Sequence, residues 1–104
     1  MNTRIARKQV SDITERLLQP PWSSWKGRDH IAEICRGSVN LQVWPKEHFL
    51  TAKPSHYFTL GRFETDGQEL WVSEKLRFSD IDDAIRVLQY ARSRLRQIED
   101  DSED

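Results

Sequence analysis

The clearest pattern in the chain is a helical one near its C-terminal end. Apolar residues recur there at steps of three and four, the spacing of one face of a helix. They are Ile81, Ala84, Ile85, Leu88, Ala91, Leu95 and Ile98. Ser79 is placed to cap this helix, and the acids just after it suit the positive end of the helix dipole. We therefore expect a helix that buries this whole stripe, including Leu88, against a sheet.

Four segments before this helix alternate apolar and polar residues with a period of two, which is typical of half-buried strands. The first two form a predicted hairpin over His30–Pro45 that turns at Arg36-Gly37-Ser38. A third strand is predicted over His56–Glu64 and a fourth over Leu70–Leu76. Asp66-Gly67 lies between them and is a strong signal for a two-residue hairpin turn.

The N-terminal segment is predicted to form a second helix, between Thr3 and Gln19. Four apolar residues fall close to one helical stripe there, and Pro20-Pro21 ends it. They are Ile5, Val10, Ile13 and Leu17. We expect an α+β fold of order α-β-β-β-β-α with a four-stranded antiparallel sheet. The expected parts are an N-terminal helix and Pro/Trp linker (1–27), a β-β-β-β-α domain (28–98) and an acidic tail (99–104).

Composition supports one small domain without a membrane span. The chain has 104 residues, 37% of them hydrophobic, and a net charge of −1. Five acids fall in the last six positions, so the tail is expected to be disordered and the body before it mildly basic. No apolar run approaches the roughly 18 residues of a span, and residues 1–19 lack the apolar core of a signal peptide. We expect a cytoplasmic protein.

Candidate catalytic and metal-binding residues are few. Cys35 is the single cysteine, which excludes an intrachain disulfide and a multi-cysteine zinc site. It falls inside a strand pattern, which favours a packed thiol over a nucleophile. The histidines His30, His48 and His56 do not have the close spacing of metal ligands, and no glycine-rich phosphate loop is present. We expect no enzyme activity, no metal and no cofactor.

The polar face of the predicted sheet carries the main binding hypothesis. Trp44 and Trp71 alternate with apolar residues, as do several cations, so both tryptophans are expected on the face away from the C-terminal helix. Aromatic residues among Arg and Lys suit single-stranded nucleic acid, since bases stack on the rings and cations contact phosphates. The predicted set is Trp44 and Trp71 for stacking and Arg36, Arg62, Lys75 and Arg77 for phosphates. The alternative is that the N-terminal helix and its linker bury both tryptophans.

A set of short motifs over about residues 30–98 resembles small, mostly uncharacterised bacterial and phage proteins. The motifs read Cys35-Arg36-Gly37-Ser38-Val39, Val43-Trp44, Leu60-Gly61-Arg62, Asp66-Gly67-Gln68-Glu69-Leu70-Trp71, Ser73 and Phe78-Ser79-Asp80-Ile81. The chain departs from them at Glu64, where an aromatic residue is usual, and in its extra N-terminal helix. The strand order is also similar to that of the transcriptional positive cofactors and the Whirly proteins. That resemblance implies a curved sheet that binds single-stranded DNA and a helix that packs a homodimer.

Two hypotheses of function follow. The first is a non-enzymatic nucleic-acid-binding domain that prefers single-stranded DNA. The second is a protein-interaction or assembly module that dimerises through a sheet edge or the last helix. A pI of about 6.3 counts against the first, because strong nucleic-acid binders usually have a pI above 9. Salt-dependent affinity for oligonucleotides discriminates the two.

Overall fold

The chain forms an antiparallel sheet followed by one long helix. The computed structural model describes residues 6–10, 12–18, 22, 29–45 and 56–101. Within these ranges, six strands pair in chain order, so each strand is hydrogen-bonded to the next. They are β1 (Ala6–Val10), β2 (Ile13–Leu17), β3 (Ala32–Arg36), β4 (Val39–Trp44), β5 (Tyr57–Thr65) and β6 (Leu70–Ser73). A 3₁₀ turn (Phe78–Asp80) leads into α1 (Ile81–Asp101). The predicted α+β class is confirmed.

The predicted N-terminal helix is wrong, and the four-stranded sheet gains a hairpin in its place. β1 pairs with β2, and β2 pairs with β3. The same residues satisfy both periods, because positions 13 and 17 share a face in a helix and also in a strand. Ile13 and Glu15 are both buried, which fits alternation and not the helical stripe. Pairing to β3 therefore decides the local structure.

Both predicted hairpins are present in the sheet. Gly37 turns the β3–β4 hairpin with φ at +58°, a left-handed value that glycine adopts without strain. The β5–β6 loop is longer than the predicted two-residue turn, since Thr65 pairs with Leu70 across residues 66–69. The Asp66 carboxylate organises it by accepting the N–H groups of residues 68 and 69 at 2.9 and 3.0 Å. These hydrogen bonds lower the pKa of Asp66.

The first half of α1 buries its smaller apolar residues and exposes the larger ones, Ile81, Ile85 and Leu88, whereas Leu95 and Ile98 of the predicted stripe pack against the core. Ala84, Val87 and Ala91 are buried against β3 and β4. Ile85 and Leu88 are close to half exposed, so the expectation that Leu88 lies in the core is wrong. The helix extends to residue 101, and residues 102–104 of the predicted tail lie outside the described residues. No helix in these ranges is long and apolar enough to cross a membrane, and the cytoplasmic location stays a prediction.

A buried carboxylate fixes the start of the helix. Asp80 is buried. Its carboxylate accepts a hydrogen bond from the backbone N–H of Arg77 at 2.8 Å and another from Nε of Arg62 at 2.9 Å. The backbone hydrogen bond, assisted by the Arg62 charge, lowers the pKa of Asp80. This side chain, and not the predicted Ser79, caps the helix start. Arg62 on β5 therefore anchors the helix to the sheet.

A second buried carboxylate joins the middle of the helix to β2. The Glu15 carboxylate accepts a hydrogen bond from the Tyr90 hydroxyl at 2.5 Å and another from Nε of Arg94 at 3.1 Å. Burial and the neighbouring Glu15 carboxylate raise the pKa of Tyr90. Arg94 also lies 5.6 Å above the ring of the buried Trp22, close enough for a cation–π contact. These contacts hold one side of α1 against the N-terminal half of the sheet.

Candidate nucleic-acid interface

Strand register decides which side chains share a face of the sheet. Directly paired residues of antiparallel strands point to the same side. The face that α1 covers carries Ile34 on β3 and Leu41 and Val43 on β4, and we call it the covered face. The opposite face carries the other set of alternating residues, and we call it the helix-free face. Its central members are Arg16, Glu33, Gln42, Trp44, Tyr57 and Thr59.

The two tryptophans of the predicted platform lie on opposite faces. Trp44 pairs with Tyr57 on the helix-free face. Trp71 pairs with Glu64, two residues from Arg62, whose side chain reaches the helix, so Trp71 lies on the covered side. β6 is an edge strand beyond the helix, and its Leu70 is 68% exposed on the helix-free side. The apolar residues of an edge strand need not point to the core, which is why its alternation misled the prediction.

Trp44 and Tyr57, a cross-strand aromatic pair, take the place of the predicted pair of tryptophans. Trp44 is half-buried and its cross-strand neighbour Tyr57 is exposed. The indole Nε1 of Trp44 donates to Thr59 Oγ1 at 2.9 Å. The imidazole of His30 packs at an angle of 53° beside the same indole, with centroids 5.5 Å apart. Trp44 is therefore held in one orientation beside an open tyrosine.

A row of polar side chains crosses four strands next to this pair. Arg16, Glu33, Gln42 and Thr59 pair successively from β2 to β5. The Thr59 hydroxyl donates to Gln42 Oε1 at 3.0 Å, and Arg16 Nη1 donates to Glu33 Oε1 at 3.1 Å. Nε2 of His30 lies 2.7 Å from the other Glu33 oxygen. Glu33 offsets the charge of Arg16, so the row presents hydrogen-bonding groups more than a positive field.

Two of the four predicted phosphate ligands are engaged with acids that position the helix. Arg36 pairs with Val39 on the covered face and donates at 2.7 Å to Asp83 on α1 and to Asp12. Arg62 is held by Asp80 in the same way, as described above. Neither guanidinium faces the helix-free side.

The other two predicted phosphate ligands, Lys75 and Arg77, lie beyond the end of β6. Both are exposed. The Arg77 guanidinium lies 4.0 Å from Glu64 and its side chain is 65% exposed, which leaves it available to an anion. Of the six predicted binding residues, Trp44 is thus the one on the helix-free face. The binding roles of all six stay predictions.

On the helix-free face, the next row of paired residues consists of Cys35, Asn40 and Gly61, and it is packed and offers no reactive group. Burial raises the pKa of the Cys35 thiol, and Asn40 Nδ2 lies 3.3 Å from its Sγ. A Cβ at Gly61 would fall 2.3 Å from the carbonyl oxygen of Ser73 and 2.7 Å from Val72. β6 therefore folds closely over this part of β5. Among the described residues, no group of three or more His, Cys, Asp and Glu is arranged to hold a metal.

The sequence analysis does not predict four members of the helix-free face: Arg16, Glu33, Tyr57 and Thr59. The predicted N-terminal helix includes Arg16, which the structure places on β2. Tyr57 and Thr59 alternate with Phe58 and Leu60, so the period of two on β5 was the signal that places them together. His48 and residues 23–28 of the predicted Pro/Trp linker lie outside the described residues.

Comparisons with known proteins do not identify a relative of this chain. No family model, curated protein or solved structure matches the chain. The resemblance to small bacterial and phage proteins, and the similarity of strand order to single-stranded-DNA-binding domains, therefore stay predictions. The function must be argued from the two faces of the sheet and from α1.

Proposed function

We propose that the protein is a non-enzymatic module that binds single-stranded nucleic acid, preferably DNA, on its helix-free face. The observation that carries this proposal is the Trp44–Tyr57 pair on the helix-free face, in which Tyr57 is exposed and Trp44 is half-buried. Flat rings of this kind stack with unpaired bases of any sequence. Duplex DNA keeps its bases stacked on one another, so it is expected to compete poorly.

The polar row explains how a base that stacks on this pair would be oriented. Gln42, Thr59 and the partly exposed Arg16 offer donors and acceptors beside the rings. Lys75 and Arg77 are exposed but lie beyond the end of β6, so they are proposed to contact the phosphates of a strand that runs from the helix-free face past this edge of the sheet. Among the central members of the helix-free face, Arg16 is the cation and is paired with Glu33, so the salt dependence should be shallow. We expect about 0.7 log units of affinity per log unit of salt for each phosphate contact.

Titration of the intrinsic tryptophan fluorescence with a short oligo-dT tests the proposal. Trp44→Ala and Tyr57→Ala should each weaken binding by roughly fivefold or more, since a stacked base contributes about 1–3 kcal/mol. Lys75→Ala should weaken binding modestly and lower the salt slope. All titrations are run at low and moderate salt and repeated with duplex DNA as competitor.

Trp71→Ala is the matched control. It removes the same side chain from an exposed position on the other side of the sheet and should leave affinity unchanged. Far-ultraviolet circular dichroism checks that each variant is folded. The proposal fails if the parent does not bind oligo-dT at low salt. It fails equally if Trp71→Ala weakens binding while the two helix-free-face variants do not.

The second candidate function is an assembly module. It is favoured by a separate observation, the large apolar side chains that α1 leaves exposed on its outer side. Exposed apolar patches on small proteins commonly mark protein contacts. The two functions use different surfaces, so a single chain can carry both.

A further inference from the structure

A directed chain of hydrogen bonds fixes the side-chain amide of Gln42 on the helix-free face. The indole N–H of Trp44 donates to Thr59 Oγ1 at 2.9 Å, and the Thr59 hydroxyl donates in turn to Gln42 Oε1 at 3.0 Å. A threonine hydroxyl has a single hydrogen to donate, and Gln42 receives it here. The amide oxygen is therefore engaged, and the amide nitrogen, Nε2, is the end of the chain.

The hydrogens of Gln42 Nε2 remain available to another molecule. An amide nitrogen carries two donors, and neither bonds to a residue within the part of the chain that the structure describes. Gln42 is partly exposed, so a ligand on the helix-free face can reach this nitrogen.

Glu33, the carboxylate beside Gln42, has both of its oxygens engaged. The two residues are paired across β3 and β4. Arg16 Nη1 lies 3.1 Å from Glu33 Oε1 and His30 Nε2 lies 2.7 Å from Oε2, and the Glu33 side chain is 10% exposed. The row beside the aromatic pair therefore offers a ligand the donors of Gln42 more readily than the acceptors of Glu33.

A base that stacks on Trp44 comes within reach of Gln42. The two residues lie two apart on β4 and share the helix-free face, so their Cα atoms are about 7 Å apart. Thr59 and Tyr57 repeat this spacing on β5. A purine ring is of similar width, so a purine on the two rings presents one edge to the Gln42 amide.

The edges of guanine and adenine differ in what they offer to a donor. On guanine, O6 and N7 are adjacent acceptors with no donor between them, whereas on adenine N7 adjoins the N6 amino group, which donates. A free glutamine side chain pairs with adenine by using its oxygen and its nitrogen together. Thr59 already bonds the oxygen of Gln42 and fixes its direction, so the adenine amino group meets a second donor. Guanine meets no such conflict.

We propose that Gln42 gives the stacking position of the helix-free face a preference for guanine over adenine. The inference rests on the proposed function, because it assigns the base preference of that same surface. Stacking on the rings is common to all bases, and the Gln42 hydrogen bond adds to it for guanine. We expect guanine to bind roughly fivefold tighter than adenine, which is the typical gain from one hydrogen bond.

Nonamers of abasic deoxyribose phosphate that carry one central base test the preference, because a single base excludes self-structure and alternative registers. The central base is guanine, hypoxanthine or adenine, and fluorescence titration of the parent at low salt measures each affinity. Hypoxanthine keeps O6 and N7 of guanine and lacks its 2-amino group. Guanine and hypoxanthine should bind alike, and both should bind roughly fivefold tighter than adenine.

Two variants test whether Gln42 is the source of the preference. Gln42→Met keeps the length of the side chain, removes the amide and should bring guanine down to the affinity of adenine. Thr59→Val frees Gln42 Oε1 for the adenine amino group, so it should narrow the preference although Gln42 is unchanged. Gln68→Met is the matched control: it makes the same change at an exposed position in the β5–β6 loop and should keep the preference of the parent.

The fully abasic nonamer separates this proposal from the proposed function. If neither guanine nor adenine raises the affinity above that of the abasic nonamer, stacking is absent and both proposals fail. If the two bases raise it equally, the proposed function stands and the preference is overturned. A guanine preference that survives Gln42→Met also overturns the inference, because another group then selects the base.

Discussion

The two faces of the sheet hold similar side chains and use them differently. On the covered face, Glu15, Arg36 and Arg62 are bound by residues of α1 or its 3₁₀ turn, so their charges hold the helix in place. On the helix-free face, Glu33 pairs with Arg16 within the sheet, and beside them Tyr57 is exposed and Trp44 is half-buried.

The type of a residue alone does not show whether its side chain holds the helix in place or stays available on the helix-free face. Arg36 and Arg62 on the covered face are bound to acids that hold the helix, whereas Trp44 and Tyr57 lie on the side of the sheet opposite α1. The face on which a side chain lies and the residue that it pairs with distinguish a structural role from a binding role. The register of the strands determines both.

The largest expected effect comes from placing a charge beneath the helix. Val87 is fully buried, so Val87→Asp should abolish cooperative folding, since an unpaired buried charge costs several kcal/mol out of a total stability of about 5–15. Leu88→Asp, one residue along, should change the stability of the protomer by about 1 kcal/mol or less. Urea unfolding of both variants measures this, at concentrations where the Leu88 variant and the parent are both monomeric. An unfolded Leu88→Asp would place that residue in the core after all.

A smaller loss is expected at the carboxylate that joins β2 to the helix. Glu15→Ala leaves Arg94 unpaired and removes the acceptor of Tyr90, which should cost about 2–3 kcal/mol. Tyr90→Phe removes the hydroxyl alone and should cost about 1 kcal/mol. Urea midpoints give both values. Equal costs would show that the pairing of Arg94 with Glu15 contributes little to stability.

The helix start should make stability depend on acid pH. The pKa of Asp80 is lowered in the folded protein, so its ionised form adds stability above its ordinary pKa of 3.8, and this is lost as pH falls through the folded value. Asp80→Asn keeps an acceptor for the Arg77 N–H but loses the charge facing Arg62. The parent should exceed the variant in urea midpoint at pH 6, and the gap should narrow at pH 3. A gap that is unchanged at pH 3 contradicts this.

Much of the fold could be predicted from local patterns. The β3–β4 hairpin and the C-terminal helix follow from period-two and period-3.6 spacing, and both are present. The N-terminal strands could not be told from a helix, because residues 13 and 17 satisfy both spacings and pairing to β3 decides between them. The predicted stripe of α1 divides in the structure, because Ala84, Ala91, Leu95 and Ile98 face the core while Ile81, Ile85 and Leu88 are exposed, and the spacing alone does not show where the helix leaves the sheet.

The candidate site was less accessible to sequence reasoning. Each strand alone gives two alternating sets of residues, but which set meets the helix depends on register across strands. Trp71 and Trp44 both alternate with apolar residues, which predicts one shared face. In the structure, Trp71 lies on the side of the sheet that faces α1 and Trp44 lies on the opposite side. Tyr57 alternates with Phe58 on β5, but the pattern of that strand alone does not show that Tyr57 pairs with Trp44.

Photocrosslinking of the parent to an oligonucleotide that carries 5-iodouridine tests the central claim most directly, because it reports which aromatic side chain contacts a base. After crosslinking and proteolysis, mass spectrometry identifies the modified residue. The account predicts crosslinks at Trp44 and Tyr57, suppressed by unlabelled oligo-dT and not by duplex DNA. Crosslinks at Trp71 in place of these, or none under conditions where the oligonucleotide binds, would contradict the assignment of the helix-free face as the binding surface.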